Sequence, residues 1–100
     1  MKSFEKFLEF DWDKGNINKN LAHKITDEEA EDVFLDRRKQ TFKDKLHSGA
    51  EERFILPGKT TVGRLLFIAF TIRGKKVRII SARDINKREV SLYEEKISVA

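Results

Sequence analysis

Four arginines stand where a rigid backbone could aim them. Arg53, Arg64, Arg78 and Arg83 all fall at the ends or along the length of segments with strand-like patterning. A guanidinium is a planar, permanently charged fork that grips phosphate in two places, so arginines set on strands suit the stabilisation of extra charge on a phosphate. Taken singly, each is better explained as a salt-bridge partner of Glu51, Glu52, Glu94 or Glu95; the group together suggests phosphate chemistry. His47 adds an imidazole, a group that exchanges protons near neutral pH. It lies in the polar stretch TFKDKLHSGAEE, beside Ser48 and upstream of Glu51 and Glu52, where Glu52 could act as a base or orient Arg53. Lys59 and Lys76 extend the cationic set. Trp12 and Tyr93 carry rings on which bases could stack, although a strand-end tryptophan and a tyrosine on an apolar helix stripe are more often core. His23 reads as a surface residue. There is no Gly-rich phosphate loop, paired-carboxylate pattern or zinc spacing, so neither a metal nor a cofactor is expected.

The charge distribution agrees with a polyanion partner. The net charge is +4, yet residues 53–88 hold ten Lys/Arg against the single acid Asp84, while residues 1–52 hold ten against thirteen. A basic excess confined to one part of a chain is an electrostatic footprint, although exposed strand faces also carry solubilising charge. One hundred residues make one domain with a small core, 39% hydrophobic and without cysteine, which excludes disulfides and thiolate metal sites. The opening MKSFEKFLEF has acids where a signal peptide needs an apolar run, and no apolar stretch reaches bilayer length, so a soluble cytoplasmic protein is expected.

The elements that must position these residues centre on RLLFIAFTIRGKKVRIISAR, Arg64 to Arg83. Two strand-length apolar runs flank Gly74, which predicts a hairpin. The first run is apolar on both faces (Leu66, Ile68, Phe70 against Leu65, Phe67, Ala69), predicting a central strand covered on both sides. Arg78 and Arg83 have opposite parity on the second, so a twist or bulge must intervene for them to converge. Upstream, Phe7 to Trp12 reads as a short strand and Asp13 as the cap of a first helix with Ile17 and Leu21 on its stripe, weakened by Gly15 and its asparagines. Thr26 and Glu29 form a capping box for a second helix, with Ile25 and Ala30 as staple and Val33 and Phe34 buried. A short strand is expected near Phe42 and another over Arg53 to Thr60, where Pro57 and Gly58 suggest an edge or a bulge. Asn86 and Glu89 cap a closing helix that buries Val90, Tyr93 and Ile97.

Across these elements run F-x-W-D and K-N between Phe10 and Asn20, E-E-A-E-x-V-F at Glu28 to Phe34, and H-S-x-x-E-E-R-F at His47 to Phe54. They continue with G-K-T at Gly58 to Thr60, G-R-L-L at Gly63 to Leu66, R-I-I-S-A-R at Arg78 to Arg83, and Y-E-E from Tyr93. In order and spacing, from about Leu8 to Glu95, they resemble the BrnT family of toxins of bacterial type II toxin–antitoxin systems, whose fold is similar to that of RelE-type ribonucleases. The stretch Leu21 to Thr26 departs from the family's W-E-K-H-G-V pattern. The element order β-α-α-β-β-β-β-α itself predicts an α+β domain over residues 1–100, with two N-terminal helices on a mostly antiparallel sheet and a C-terminal helix. The RelE-like fold implied by the resemblance agrees with it. The resemblance also implies a metal-independent endoribonuclease toxin that inhibits translation and growth. A cognate antitoxin, a BrnA-like DNA-binding repressor, would neutralise it in a hetero-oligomeric complex. His47, Glu52, Arg53, Arg64, Arg78 and Arg83 would then serve cleavage, and Trp12, Lys59, Lys76 and Tyr93 would contact RNA. The rival readings are a non-enzymatic RNA-binding domain and a protein-interaction module using the same basic sheet.

Overall fold

Two nine-residue strands, β4 (Leu65–Arg73) and β5 (Lys76–Asp84), form the hairpin that the apolar runs predict. Gly74 opens the two-residue turn with φ +61°, a conformation that favours glycine. The computed structural model describes residues 8–99, with side chains described as far as Glu94, so Phe7 and Ile97 of the expected strand and helix stripe lie outside the described side chains. The other strands are β1 (Glu9–Phe10), β2 (Phe42–Lys43) and β3 (Arg53–Lys59), in the order β1-β5-β4-β3-β2. β4 is therefore central. The three pairings among β2, β3, β4 and β5 are antiparallel and β1 runs parallel to β5, so the sheet is mixed.

One face of this sheet is covered. Leu66, Ile68 and Phe70 of β4, Leu56 of β3, and Val77, Ile79 and Ala82 of β5 pack with Ile25, Ala30, Val33 and Phe34 in one core. Phe34 meets Phe10 and Phe70 edge-on at 5.3 and 5.1 Å, and Phe54 stacks on Phe70 at 5.5 Å. These aromatic contacts fix the layer above the sheet. That layer is α1 (Asp27–Asp32) and the 3₁₀ turn Val33–Leu35 that prolongs it. The capping box is present in both directions: Glu29 N donates to Thr26 Oγ1 at 3.1 Å, and Thr26 N donates to Glu29 Oε1 at 2.9 Å.

The two N-terminal helices expected on the sheet are not there. Only α1 forms, and residues 14–18 are turns leading into a 3₁₀ segment, Lys19–His23. Asn18 and Lys24 adopt left-handed φ values of 55° and 60°, which an α-helix cannot accommodate, and Ile17 and Leu21 are half exposed instead of forming a stripe. The cause lies in the asparagines. β1 covers only the start of β5, so the edge of β5 beyond it needs hydrogen-bond partners. The Asn16 amide donates to Ile79 O at 3.0 Å and Asp11 O at 2.9 Å, and Asn20 Oδ1 accepts Ala82 N–H at 3.0 Å. Both asparagines are buried. Side-chain bonds to a neighbouring strand outweigh helix formation here, and the segment serves as an irregular extra edge strand.

A second correction concerns β4, which is covered unequally. Leu66, Ile68 and Phe70 are buried on the α1 face, while on the other face Leu65, Phe67 and Ala69 are half buried and Thr71 and the neighbouring Pro57 fully buried. Pro57 pairs regularly with Phe67, without a bulge. Lys59, two residues on, points its N–H outward to Asp36 Oδ2 at 2.8 Å; Pro57 shares that orientation, so its missing N–H falls on the unpaired outer edge. The closing helix α2 (Lys87–Val99) starts with reciprocal Asn86 and Glu89 bonds of 2.9 and 3.1 Å and reaches across to β3. No described helix is long and apolar enough to cross a membrane.

Candidate functional site

Strand alternation and register lay out the open face as rows. Arg73 is paired with Lys76, Arg53 with Thr71 and Thr71 with Arg78, Ile55 with Ala69 and Ala69 with Ser81, Pro57 with Phe67 and Phe67 with Arg83. Cross-strand partners share a face, so all these side chains lie on the side away from α1. The register shifts between Ala69 and Phe70, where Ser81 and Ile79 are their partners and Ile80 is left over. That bulge compensates the opposite parity of Arg78 and Arg83 and brings both to the open face.

The densest charge lies at the end near the β4–β5 turn. The Arg78 guanidinium bonds Asp13 Oδ1 at 2.9 Å and lies 3.6 Å from Asp11 Oδ2. Its Nη1 is buried without a hydrogen-bond partner. The loop passes close over this arginine: a Cβ on Gly15 would come within 2.8 Å of Arg78 Nη2, and the guanidinium would have to shift to admit it. Arg73 grips Glu51 through Nε at 2.7 Å and Nη2 at 3.2 Å. Arg53 is half buried at the start of β3, and its guanidinium has no hydrogen bond or ion pair to a described residue. The Arg78 hydrogen bond, helped by the Gly15 N–H, holds the Asp13 carboxyl below its ordinary range, and Arg73 does the same to Glu51. Arg78 and Arg73 are in turn held more firmly protonated by those same hydrogen bonds. The result is a cluster of fixed charges in which three guanidinium groups face three carboxylates.

Arg83 occupies the other end of the open face. Its Nη1 and Nη2 donate to Glu89 at 2.8 and 2.6 Å, and its guanidinium carbon lies 4.4 Å from the centroid of the Phe67 ring. Arg64 is elsewhere. It faces the α1 layer, donating to Asp84 at 2.8 and 3.1 Å, to Lys24 O at 2.9 Å, and more distantly to Glu29 and His23 O. His47 sits on the turn before β3 with Nδ1 2.9 Å from Asp44 Oδ2. Ser48 fastens that turn, accepting Arg53 N–H at 2.9 Å and donating to Asp44 O at 2.6 Å. Glu52 pairs with Lys43 at 2.8 Å.

The remaining expected contacts divide. Lys76 and Lys59 are exposed on the open face, Lys59 with its Nζ 6.0 Å from the Tyr93 ring centroid. Tyr93 is 4% exposed and donates to Asp36 Oδ2 at 2.8 Å; burial, with that bond, pushes its hydroxyl up to about 12. Trp12 packs against the core and donates to Glu31 Oε2 at 2.6 Å. Neither ring is presented for stacking. Sequence reasoning missed Asp11, Arg73 and the role of Asp13. The D-W-D alternation was the available signal, since it puts Asp11 and Asp13 on the face opposite Phe10 and Trp12.

On the other side of the molecule, a groove of about 280 Å³ is lined by Leu8, Phe10, Phe34 and Leu35 together with Glu28, Glu31 and Asp32. Its acids make it a poor surface for a polyanion. Among the described residues no three His, Asp or Glu side chains converge as a metal cage. The sequence of residues 12–89 matches the family model of the ribonuclease toxin BrnT of type II toxin–antitoxin systems. The chain belongs to the BrnT family. A search of curated proteins finds no match to this chain. Membership of BrnT makes the protein a ribonuclease toxin at the level of the family, and implies an antitoxin protein as its partner. In this BrnT chain the open face gathers Arg53, Arg73, Arg78 and Arg83 on one rigid sheet.

Proposed function

We propose that the protein is an endoribonuclease that cleaves RNA by attack of a 2′-OH on the adjacent phosphate, at the Arg53, Arg73 and Arg78 end of the open face. The observation that carries this reading is the Arg78 guanidinium, aimed by Asp11 and Asp13, whose buried Nη1 lies beside Asp11 without making a hydrogen bond. A phosphorane needs donors where its extra charge develops, and donors fixed in advance need no reorganisation at the moment of reaction. Arg53, with no partner among the described residues, is the second donor. Each arginine keeps the charge through the reaction, since its pKa lies far above any working pH.

His47 is the proton carrier in this reading. With Asp44 accepting from Nδ1, the imidazole presents Nε2 for proton exchange, and Ser48 ties its turn to Arg53. Glu52 supports that turn through Lys43. Lys59 and Lys76 attract the RNA backbone. Arg64 is assigned to the scaffold. The antitoxin, a DNA-binding repressor, covers the basic face and so blocks RNA.

The test is cleavage of a defined RNA by the purified chain, with EDTA present. The expected products end in a 2′,3′-cyclic phosphate and form at an undiminished rate in EDTA. Expression alone should arrest bacterial growth, and co-expression with the antitoxin should restore it. Binding of RNA without cleavage under all conditions would instead establish the non-enzymatic alternative.

A further inference from the structure

Arg83 is held differently from the other arginines of the open face, and the manner of its holding selects its ligand. Both of its terminal nitrogens are engaged by Glu89, at 2.8 and 2.6 Å, and Nη1 also reaches Asp84 O at 3.2 Å. The guanidinium carbon lies over the Phe67 ring, 4.4 Å from its centroid. The side chain nevertheless keeps 41% of its exposure, whereas that of Glu89 keeps 16%. Phosphate recognition uses an N–H edge of a guanidinium, and here Glu89 already fills the Nη1–Nη2 edge. The Nε side and the outer flat face are left without a bond to a described residue. The neighbouring row holds Ala69 and Ser81, small residues that leave room beside it.

We propose that the outer face of the Arg83 guanidinium is a stacking platform for a nucleobase of the RNA, sandwiching it on the far side from Phe67. The proposal rests on the reading of this face as the RNA site, and it gives Arg83 a task separate from the phosphate work of Arg53 and Arg78. A planar cation accepts any base on its π face, so the platform positions a nucleotide beside the cleavage cluster without hydrogen-bond readout. Phe67 and Glu89 are its positioning residues: the ring sets its tilt and the carboxylate stops it from rotating.

The experiment uses the full chain and a 2′-O-methyl RNA, which lacks the attacking hydroxyl. A 2-aminopurine is moved through successive positions, because its fluorescence is quenched by stacking. With the wild type, one position should show quenching on binding. Arg83→Lys keeps the charge but has no flat face. It should lose that quenching and bind on the order of tenfold more weakly, in the range expected for one base–side-chain stack. The loss should vanish when the RNA carries an abasic site at the quenched position. Phe67→Leu, which leaves the Arg83–Glu89 pair intact, should weaken the same signal and provides the test should Arg83→Lys fail to fold. Unchanged quenching in both variants, or an equal affinity loss on intact and abasic RNA, would overturn the platform. Failure of the wild type to bind any RNA would instead overturn the ribonuclease reading, and the platform with it.

Discussion

The two faces of one sheet use the same residue types in opposite ways. On the covered face, Phe70 is 6% exposed and closed in by Phe34 and Phe54, while Arg64 binds two carboxylates and two backbone carbonyls. On the open face, Phe67 is half buried under Arg83, and Arg73, Arg78 and Arg83 are held chiefly by carboxylates. Backbone carbonyls cannot leave without opening the fold, whereas an exposed carboxylate can give way to a phosphate. The difference teaches that an arginine's acceptors, more than its exposure, tell how firmly it is built into the scaffold.

Core truncation should break the comparison most visibly. Phe70→Ala should cost about 3–5 kcal/mol, a large share of the ~5–15 kcal/mol that holds a domain folded. Phe67→Ala, on the half-buried face, should cost roughly 1 kcal/mol. Urea unfolding of both variants measures the difference. Equal losses would mean that the two faces are equally buried in solution.

The arginines should divide the other way. Arg78→Ala should lower RNA cleavage on the order of a hundredfold while the melting temperature stays close to that of the wild type. Arg64→Ala should lower the melting temperature by about 4–8 °C, and the molecules that remain folded should keep their cleavage rate. Single-turnover kinetics with parallel melting curves would read both. An inactive but stable Arg64→Ala variant would place function on the wrong face.

How far this division was legible in the sequence depended on the kind of residue. The hairpin, α1 with its capping box, and α2 followed from periodicity and local caps, because those signals act within a few residues. The basic excess of residues 53–88 showed that arginines would gather on the sheet, since strands placed next to one another pool their charges. It did not show that Arg73, Arg78 and Arg83 would be paired with Glu51, Asp13 and Glu89 from outside the strands. Asn16 and Asn20 were not legible, because their partners Ile79 and Ala82 lie more than sixty residues away and a helical stripe is a weaker constraint than an unpaired strand edge. Arg64 and Arg78 looked alike for the same reason. Only the fold brings Lys24 O to one and Asp13 to the other.

Acid should loosen both faces through their carboxylates. Asp84 is held below its ordinary value of 3.8 by Arg64, and Glu89 below 4.5 by Arg83. A carboxyl whose pKa is depressed by folding contributes stability that is present above the unfolded value and lost as pH falls through the folded one. Stability should therefore be flat from neutrality to about pH 5 and should fall below roughly pH 4. Asp84→Asn and Glu89→Gln should each flatten part of that fall. A wild-type profile level down to pH 2 would show that these pairs dissolve in solution.

The smallest expected effect concerns Tyr93, which joins the two sides. It stands on α2, yet its hydroxyl donates to Asp36, the residue that ends the 3₁₀ turn of the α1 layer and also accepts Lys59 N–H. Burial first, and the Asp36 carboxylate second, raise its pKa from 10.0 to about 12. For a group whose pKa is raised by folding, the stabilisation is complete below the unfolded value and lost as pH rises through the folded one. Stability should thus decline between pH 10 and pH 12, in a step that Tyr93→Phe abolishes. At neutral pH the same change should cost only about 0.5–1.5 kcal/mol, because Asp36 keeps its bond to Lys59. RNA affinity should not change, since the ring is covered and cannot meet a base. Alkaline unfolding curves and RNA titrations of the two proteins decide the matter. A variant of full stability that had lost RNA binding would mean that Tyr93 swings out to the open face, and that the closing helix is part of the site.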